Sequence, residues 1–355
     1  MRLLLTSLSF VCLFTRLSAG GQAAMPLPNP EPAAPVAATN CAPTGAVHGM
    51  NFVAGAPMTN TFATSADPEL RKFIVYVPSS YNALGAPYPL VYMFHGTGQT
   101  AQSIMNKNTW KRAAELRNFI VVYPEALPYL MQDGSVRTKW RTDASEAFAV
   151  DPSELPMADD VQFVRELHNT LITSLNIDCD HVYASGFSNG GGFVKSELRV
   201  ELADVFAAFT SAGGIGASGG VAADYFPANG VDFRPHFEVV GTRDDKKIDN
   251  CIAAGDLQPG DFLPRAVPAV VSTPCMWDPL TVFAAGVGMD ASVYSTVEVA
   301  GFTQFRWTSV VNPGPGPTEY RFRILPNLAH EYPSGTNYPV DYVPVFWTWM
   351  RQYSR

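Results

Sequence analysis

Charge and metal-ligating side chains are scarce in this chain. Of 355 residues 16% are charged, the formal net charge is −8, and no run of lysines or arginines occurs. A nucleic-acid surface needs a concentrated basic footprint, so no nucleic-acid partner is expected. Histidines number six and cysteines five. No C-x₂-C pair and no histidine in zinc-site register accompany them, so no metal is expected either. Beyond the first two dozen residues no apolar stretch approaches the about 20 residues that a membrane-spanning helix requires, and no stable membrane insertion is expected. What the chain has in quantity is apolar residue, 47% of the total. That is enough for a sizeable core and argues against disorder over most of the length.

The beginning of the chain has the three parts of a secretory leader. Arg2 is followed by an apolar stretch from Leu3 to Phe14 and by small residues from Ser18 to Ala24. Residues 1–24 are expected to be a signal peptide cut near Ala19 or Ala23, so the protein is expected outside the cytoplasm, extracellular or periplasmic. Residues 25–43 are rich in Pro and Ala without an apolar period, as in an extended linker. Residues 44–355 read as one domain. Cys12 would leave with the leader, and the even number that remains in an exported chain suggests two disulfides. Of three connectivities the favoured one joins Cys251 to Cys275 across a short loop and Cys41 to Cys179; four buried free thiols are the alternative.

Strands and helices then alternate. Lys72–Val77, Leu90–Phe94, Phe119–Tyr123, His181–Ser185, Val205–Thr210, His236–Val240 and Tyr320–Leu325 are short apolar runs bounded by turn residues. Trp110–Leu116, Asp159–Leu175, Phe193–Leu202 and Val340–Tyr353 read as helices; in the second, Val161, Val164, Leu167, Leu171 and Leu175 fall at helical spacing. This alternation predicts an α/β fold with a mostly parallel sheet covered by helices on both faces. Residues 249–317 break the rhythm and read as an insertion over the C-terminal edge of the sheet.

Between a strand and a helix lies Gly186-Phe187-Ser188-Asn189-Gly190, a G-x-S-x-G pentad. In that setting the serine sits on a strained turn as an exposed nucleophile, and the glycines stand where side chains would collide with backbone. A serine needs a histidine base, and the histidine needs a carboxylate to hold its tautomer. In an α/β-hydrolase these follow in the order serine, acid, histidine. His330 lies in the loop between the last strand and the last helix, whereas His48, His95, His168, His181 and His236 fall in positions better explained by structure. Asp244, one short turn beyond His236–Val240, is preferred as the acid over Asp245 and Asp249. The backbone N–H of Asn189 and that of Thr97, in His95-Gly96-Thr97-Gly98, are the expected oxyanion donors. His95, Gly96 and Tyr332 are expected to touch substrate. Gly214-Ile215-Gly216-Ala217-Ser218-Gly219 matches G-x-G-x-x-G, but Val221–Asn229 after it contains Pro227 and little helical period. A dinucleotide site is therefore not expected, and no cofactor is called.

The combination LVYMFHGTGQTA, FIVVYPEA, Asp159-Asp160-Val161-x-Phe163, VYASGFSNGGGF, FAAF, GTRD and HEYPSG resembles the feruloyl esterase and polyhydroxybutyrate-depolymerase-like esterase family, from about Arg71 to the C-terminus. The resemblance implies an α/β-hydrolase fold, extracellular and cofactor-free activity, and Ser188, Asp244 and His330 as triad. It departs at Glu331-Tyr332, where many relatives carry a residue and then tryptophan. The expected function is hydrolysis of carboxylic esters, feruloyl or similar hydroxycinnamoyl groups on plant cell-wall polysaccharide. The alternatives are a poly(3-hydroxybutyrate) depolymerase-like or short-chain acyl (acetyl xylan) esterase and, more remotely, a non-catalytic binding protein on the same fold. The expected partner is the ester substrate, met by a monomer.

Overall fold

The computed structural model describes residues 41–65, 67, 69–142, 159–214, 234–309 and 318–355. The leader and all of the linker before Cys41 lie outside the described residues. In chain order the elements are β1 (Pro57–Ala63), β2 (Leu70–Tyr76), β3 (Tyr88–Phe94), α1 (Ala101–Lys107), α2 (Trp110–Arg117), β4 (Ile120–Glu125), β5 (Pro128–Leu130), β6 (Val136–Thr138) and α3 (Asp160–Ser174). There follow β7 (Ile177–Phe187), α4 (Asn189–Phe193), a π turn (Val194–Leu198), α5 (Arg199–Glu201), β8 (Ala208–Ala212), β9 (His236–Arg243) and α6 (Asp245–Ala253). The last are α7 (Val267–Val271), α8 (Pro274–Gly286), β10 (Ser295–Val299), β11 (Phe302–Thr308), β12 (Glu319–Ala329) and α9 (Tyr342–Met350).

Ten of the strands form one sheet in the order β1-β2-β4-β3-β7-β8-β9-β12-β11-β10. The block from β4 to β12 is parallel throughout, and β1, β2 on one side and β11, β10 on the other pair antiparallel. The sheet is therefore mixed, which corrects the mostly parallel sheet expected from strand–helix alternation. The outer pair β10–β11 is a hairpin with only two residues between its strands, a connection that can make only antiparallel neighbours.

The parallel block explains the unbroken apolar runs. Along β3, Val91 and Met93 enter the core beneath α1, α2 and α9, while Leu90, Tyr92 and Phe94 enter the core beneath α3 and α4. Both faces are dry, so neither set of alternate residues needs to be polar. After β3 the chain goes outward to β4 and returns to β7 on the other side of β3. That reversal opens a crevice at the carboxyl ends of β3 and β7, the place where open α/β sheets bind ligands.

Cys41 is bonded to Cys179 and Cys251 to Cys275, with Cα separations of 5.8 and 5.2 Å. The first bond ties the chain ahead of β1 to the start of β7; the second joins α6 to α8. The 249–317 segment does two things. Its strands β10 and β11 lengthen the sheet beyond β12, and α8 packs with Trp307, Tyr320 and Phe305 in a third apolar core. Met276, Pro279 and Leu280 of α8 also wall a cleft with Gly213 and Asp244, so part of the insertion does reach the C-terminal edge. Among the described residues no helix is long and apolar enough to cross a membrane.

Candidate active site

The backbone makes an abrupt turn at the end of β7. Ser188 has φ 52° and ψ −121°, a conformation that costs a non-glycine residue about 1–3 kcal/mol unless its surroundings enforce it. Here its N–H donates to the carbonyl of Ala212 at 3.0 Å and its carbonyl accepts from Gly192 at 2.9 Å. The turn closes because two residues lack side chains: a Cβ on Gly186 would lie 2.2 Å from the Gly190 carbonyl oxygen, and one on Gly190 would lie 2.4 Å from that of His95. The pentad's glycines are thus steric requirements of the elbow.

The structure brings Ser188, His330 and Asp244 together from three loops beyond β7, β12 and β9. His330 Nε2 lies 2.7 Å from Ser188 Oγ, and His330 Nδ1 lies 2.9 and 3.0 Å from the two oxygens of Asp244. Asp244 is 2% exposed and also caps α6, accepting the Lys247 N–H at Oδ1 (3.1 Å). Gly213, at φ 57°, lies under the imidazole, where a Cβ would come within 3.1 Å of it. Asp245 is exposed and pairs with Lys246, and Asp249 is exposed as well.

The other five histidines have partners elsewhere. His48 meets Glu166, His168 meets the Tyr92 hydroxyl, His181 meets Asp178, and His236 meets Ser211. His95 is wholly buried: its Nδ1–H donates to the Gly96 carbonyl and its Nε2 accepts from the Ala126 N–H. Burial pushes His95 down from 6.5 to about 4, and His168 likewise to about 4. His236 falls well below its ordinary value for the same reason. An unfolded chain takes up these protons below pH 6.5 and the folded one does not. Stability should therefore be lost as pH falls from 6.5 toward 4. At pH 5 His95 and His168 each remove roughly 2 kcal/mol, His236 acts in the same direction, and His181, raised by Asp178, offsets part of that. Urea midpoints at pH 7.5 and pH 5 will check this; an unchanged midpoint would refute it.

Two expected substrate contacts are corrected. His95 is spent inside the fold as just described. Tyr332 is 3% exposed, and its hydroxyl accepts from the Trp110 indole at 2.9 Å and meets Ser185 Oγ at 3.2 Å. Both side chains act as internal polar ties, which a sequence cannot distinguish from ligand contacts. Gly96 does adjoin the nucleophile, since a Cβ there would lie 3.0 Å from the Ser188 Cβ. Its N–H is taken by Gln99 Oε1 at 2.9 Å, however, so it is not an oxyanion donor. The backbone N–H groups of Asn189 and Thr97 have no hydrogen-bond partner among the described residues.

Several contributors were not singled out from sequence. Trp140, fully buried, exchanges two hydrogen bonds with the Asn189 side chain: its N–H donates to Oδ1 at 2.8 Å and its carbonyl accepts from Nδ2 at 3.0 Å. Asp160, quoted above in the Asp159-Asp160-Val161-x-Phe163 motif without a role, accepts the next N–H, that of Arg141, at 2.8 Å and is paired with buried Arg71. A small cleft opens beside Gly213 and Asp244, walled by Val240, Met276, Leu280 and Phe322 together with the charged Lys195, Glu238 and Lys247. Nothing in the spacing of these residues marks them as neighbours. Most of the G-x-G-x-x-G stretch, from Ile215 on, lies outside the described residues. Among the described residues no group of three His, Cys, Asp or Glu could hold a metal ion.

A serine on a strained strand-to-helix turn, with acid and histidine on later loops, is the arrangement of an α/β-hydrolase fold. Residues 65–194 match the model of a protein family described as "Putative esterase". The chain is 29% identical over 175 residues to a bifunctional acetylxylan esterase/xylanase, XynS20E, from Neocallimastix patriciarum, covering 49% of this chain and 22% of that protein. It is 26% identical over 135 residues to feruloyl esterase D from Neurospora crassa, covering 37% of this chain and 41% of that one. The chain thus spans less than half the length of both relatives. Among solved structures, an S-formylglutathione hydrolase from Agrobacterium tumefaciens superposes with a TM-score of 0.51 at 14% identity, over 87% of this chain and 99% of that one. At that identity the likeness speaks for the fold alone.

Proposed function

We propose that this protein hydrolyses carboxylic esters through an acyl-enzyme on Ser188. The observation that carries the reading is the unbroken chain from Asp244 through His330 to Ser188 Oγ, with a contact of 2.7 Å at the nucleophile. His330 takes the Ser188 proton as the oxygen attacks the ester carbonyl, and Asp244 holds the imidazole with Nδ1–H toward itself and stabilises the imidazolium. The N–H groups of Asn189 and Thr97 receive the oxyanion. His330 then gives its proton to the leaving alkoxide, and a water deprotonated by the same imidazole releases the acid.

For substrate, the proposal is hydroxycinnamoyl esters of plant cell-wall polysaccharide. The feruloyl esterase relative supports the same class; the acetylxylan esterase relative supports the short-acyl alternative. Export is part of the proposal, since two disulfides suit an oxidising compartment. Ferulate release from methyl ferulate, acetate release from acetylated xylan and clearing of a polyester emulsion should be compared on one preparation. Methyl ferulate is expected to be the preferred substrate. Cleavage of p-nitrophenyl acetate without ferulate release would overturn the substrate assignment and leave the esterase, whereas no labelling of Ser188 by a fluorophosphonate would overturn both.

A further inference from the structure

Oxyanion stabilisation requires two N–H groups from separate parts of the chain to keep a fixed spacing. One arm is the loop His95–Gln99 after β3, the other the first turn after β7, and no backbone hydrogen bond joins the Asn189 and Thr97 donors. A third segment, Thr138–Arg141, touches both. On the first arm, the Gly98 N–H donates to the Thr138 carbonyl at 2.8 Å, the Thr138 hydroxyl donates to the Gln99 carbonyl, and the Trp140 indole N–H donates to the His95 carbonyl at 2.9 Å. On the second arm, the Trp140 backbone and the Asn189 amide exchange the pair of hydrogen bonds described above. The segment is anchored in turn, since Arg141 N–H donates to Asp160, whose other oxygen meets Arg71. The Trp140 ring is fixed by stacking on Phe193, 5.2 Å away, and by the edge of Phe94 at 5.3 Å.

From this we infer that Trp140 is a positioning residue that bridges the two arms of the oxyanion hole, setting the distance between the Thr97 and Asn189 donors. The inference rests on the esterase reading above. The amide pair fixes the orientation of the Asn189 side chain, and with it the peptide that carries the donor N–H. The indole N–H fixes the carbonyl two residues before Thr97. The indole contact is buried, where water cannot replace it, so its loss leaves the His95 carbonyl unsatisfied and the first arm free to shift. A displacement of about 1 Å in a catalytic group can cost on the order of a hundredfold in rate.

The test uses p-nitrophenyl acetate and the full chain, with active sites counted by fluorophosphonate titration. W140F keeps the ring stack and loses the indole N–H; N189A loses the amide pair and leaves the ring packing untouched. Each should lower kcat per active site by roughly tenfold to a hundredfold with KM within about threefold. Affinity for phenylboronic acid, whose adduct with Ser188 is a tetrahedral anion, should weaken by a similar factor. A residue that only supported the fold would lower the melting temperature and the fraction of titratable sites while leaving kcat per site and boronate affinity alone; that result overturns the inference. If W140F fails to fold, N189A carries the test. The double variant should lose less than the product of the single losses, because both cut one bridge. A fully multiplicative loss means that the arms are held independently and also overturns it. An inert wild type overturns the esterase reading itself; an active wild type with unimpaired variants overturns the bridge alone.

Discussion

Replacing Ser188 with alanine should lower ester turnover by a factor of about 10⁶ and leave the fold as it is. The size of the loss follows from the absence of a substitute. The neighbouring hydroxyls are occupied, Ser185 with Tyr332 and Ser211 with His236, and both are fully buried. With Oγ gone, His330 retains its bond to Asp244 but has no proton to remove. Alanine keeps the Cβ, so the cost of a positive φ at position 188 is the same in the variant as in the parent, and the turn is held by the same two backbone hydrogen bonds. Thermal denaturation should therefore show a midpoint within a degree or two of wild type. The rate on p-nitrophenyl acetate, measured with enough protein to see a millionth of the parent activity, checks the prediction. Turnover within tenfold of wild type would remove Ser188 from the reaction.

The meeting of Ser188, His330 and Asp244 was legible in the sequence because each sits next to a local signal. Ser188 lies inside a glycine pattern that backbone sterics impose, Asp244 follows the strand run HFEVV, and His330 follows the aromatic and aliphatic alternation of YRFRIL. The central strands were legible because β3, β4, β9 and the second half of β7 are buried on both faces. β1 was not found, because it is an edge strand of which alternate residues are exposed, PMTNTFA, and its pairing with β2 is not written in its own composition. Helix α1 was hidden by its length of seven residues, although Thr100 and Ser103 form a reciprocal cap at its start. The expected strand Val205–Thr210 is displaced to Ala208–Ala212, since Leu202, Val205 and Phe206 serve the core as a tight turn and not as sheet.

The polar support of the site was far less legible. Trp140, Asp160 and Arg71 lie far from the elbow in sequence and meet it only through burial, and an isolated tryptophan in RTKWRTD carries no local signature. The opposite error arose at His95 and Tyr332. Both adjoin the right motifs, yet both are polar groups satisfied inside the fold, and proximity along the chain was mistaken for proximity to substrate. Buried polar groups must find partners wherever the tertiary structure offers them, so their roles depend on contacts that no short window of sequence contains.

Asp244 gives the second large effect, and its local geometry decides the sign. Oδ1 accepts the Lys247 N–H at the start of α6, and both oxygens face His330 Nδ1. In D244N the helix cap can be satisfied only by the amide oxygen, because the amide nitrogen would set donor against donor at Lys247. Keeping the cap therefore turns the NH₂ group toward His330. Nδ1 must then accept, which places the imidazole proton on Nε2, facing Ser188. That tautomer cannot take the serine proton, and no buried carboxylate remains to stabilise the imidazolium. Turnover should fall by about 10⁴ with KM changed only a few-fold, while the retained cap preserves stability. D245N and D249N, altering exposed carboxylates on the same helix, should stay within about twofold of wild type. A set of kcat values on one chromogenic ester separates the three. A D244N enzyme that turns over like the parent, beside a D245N or D249N enzyme that does not, would move the acid of the triad to another residue.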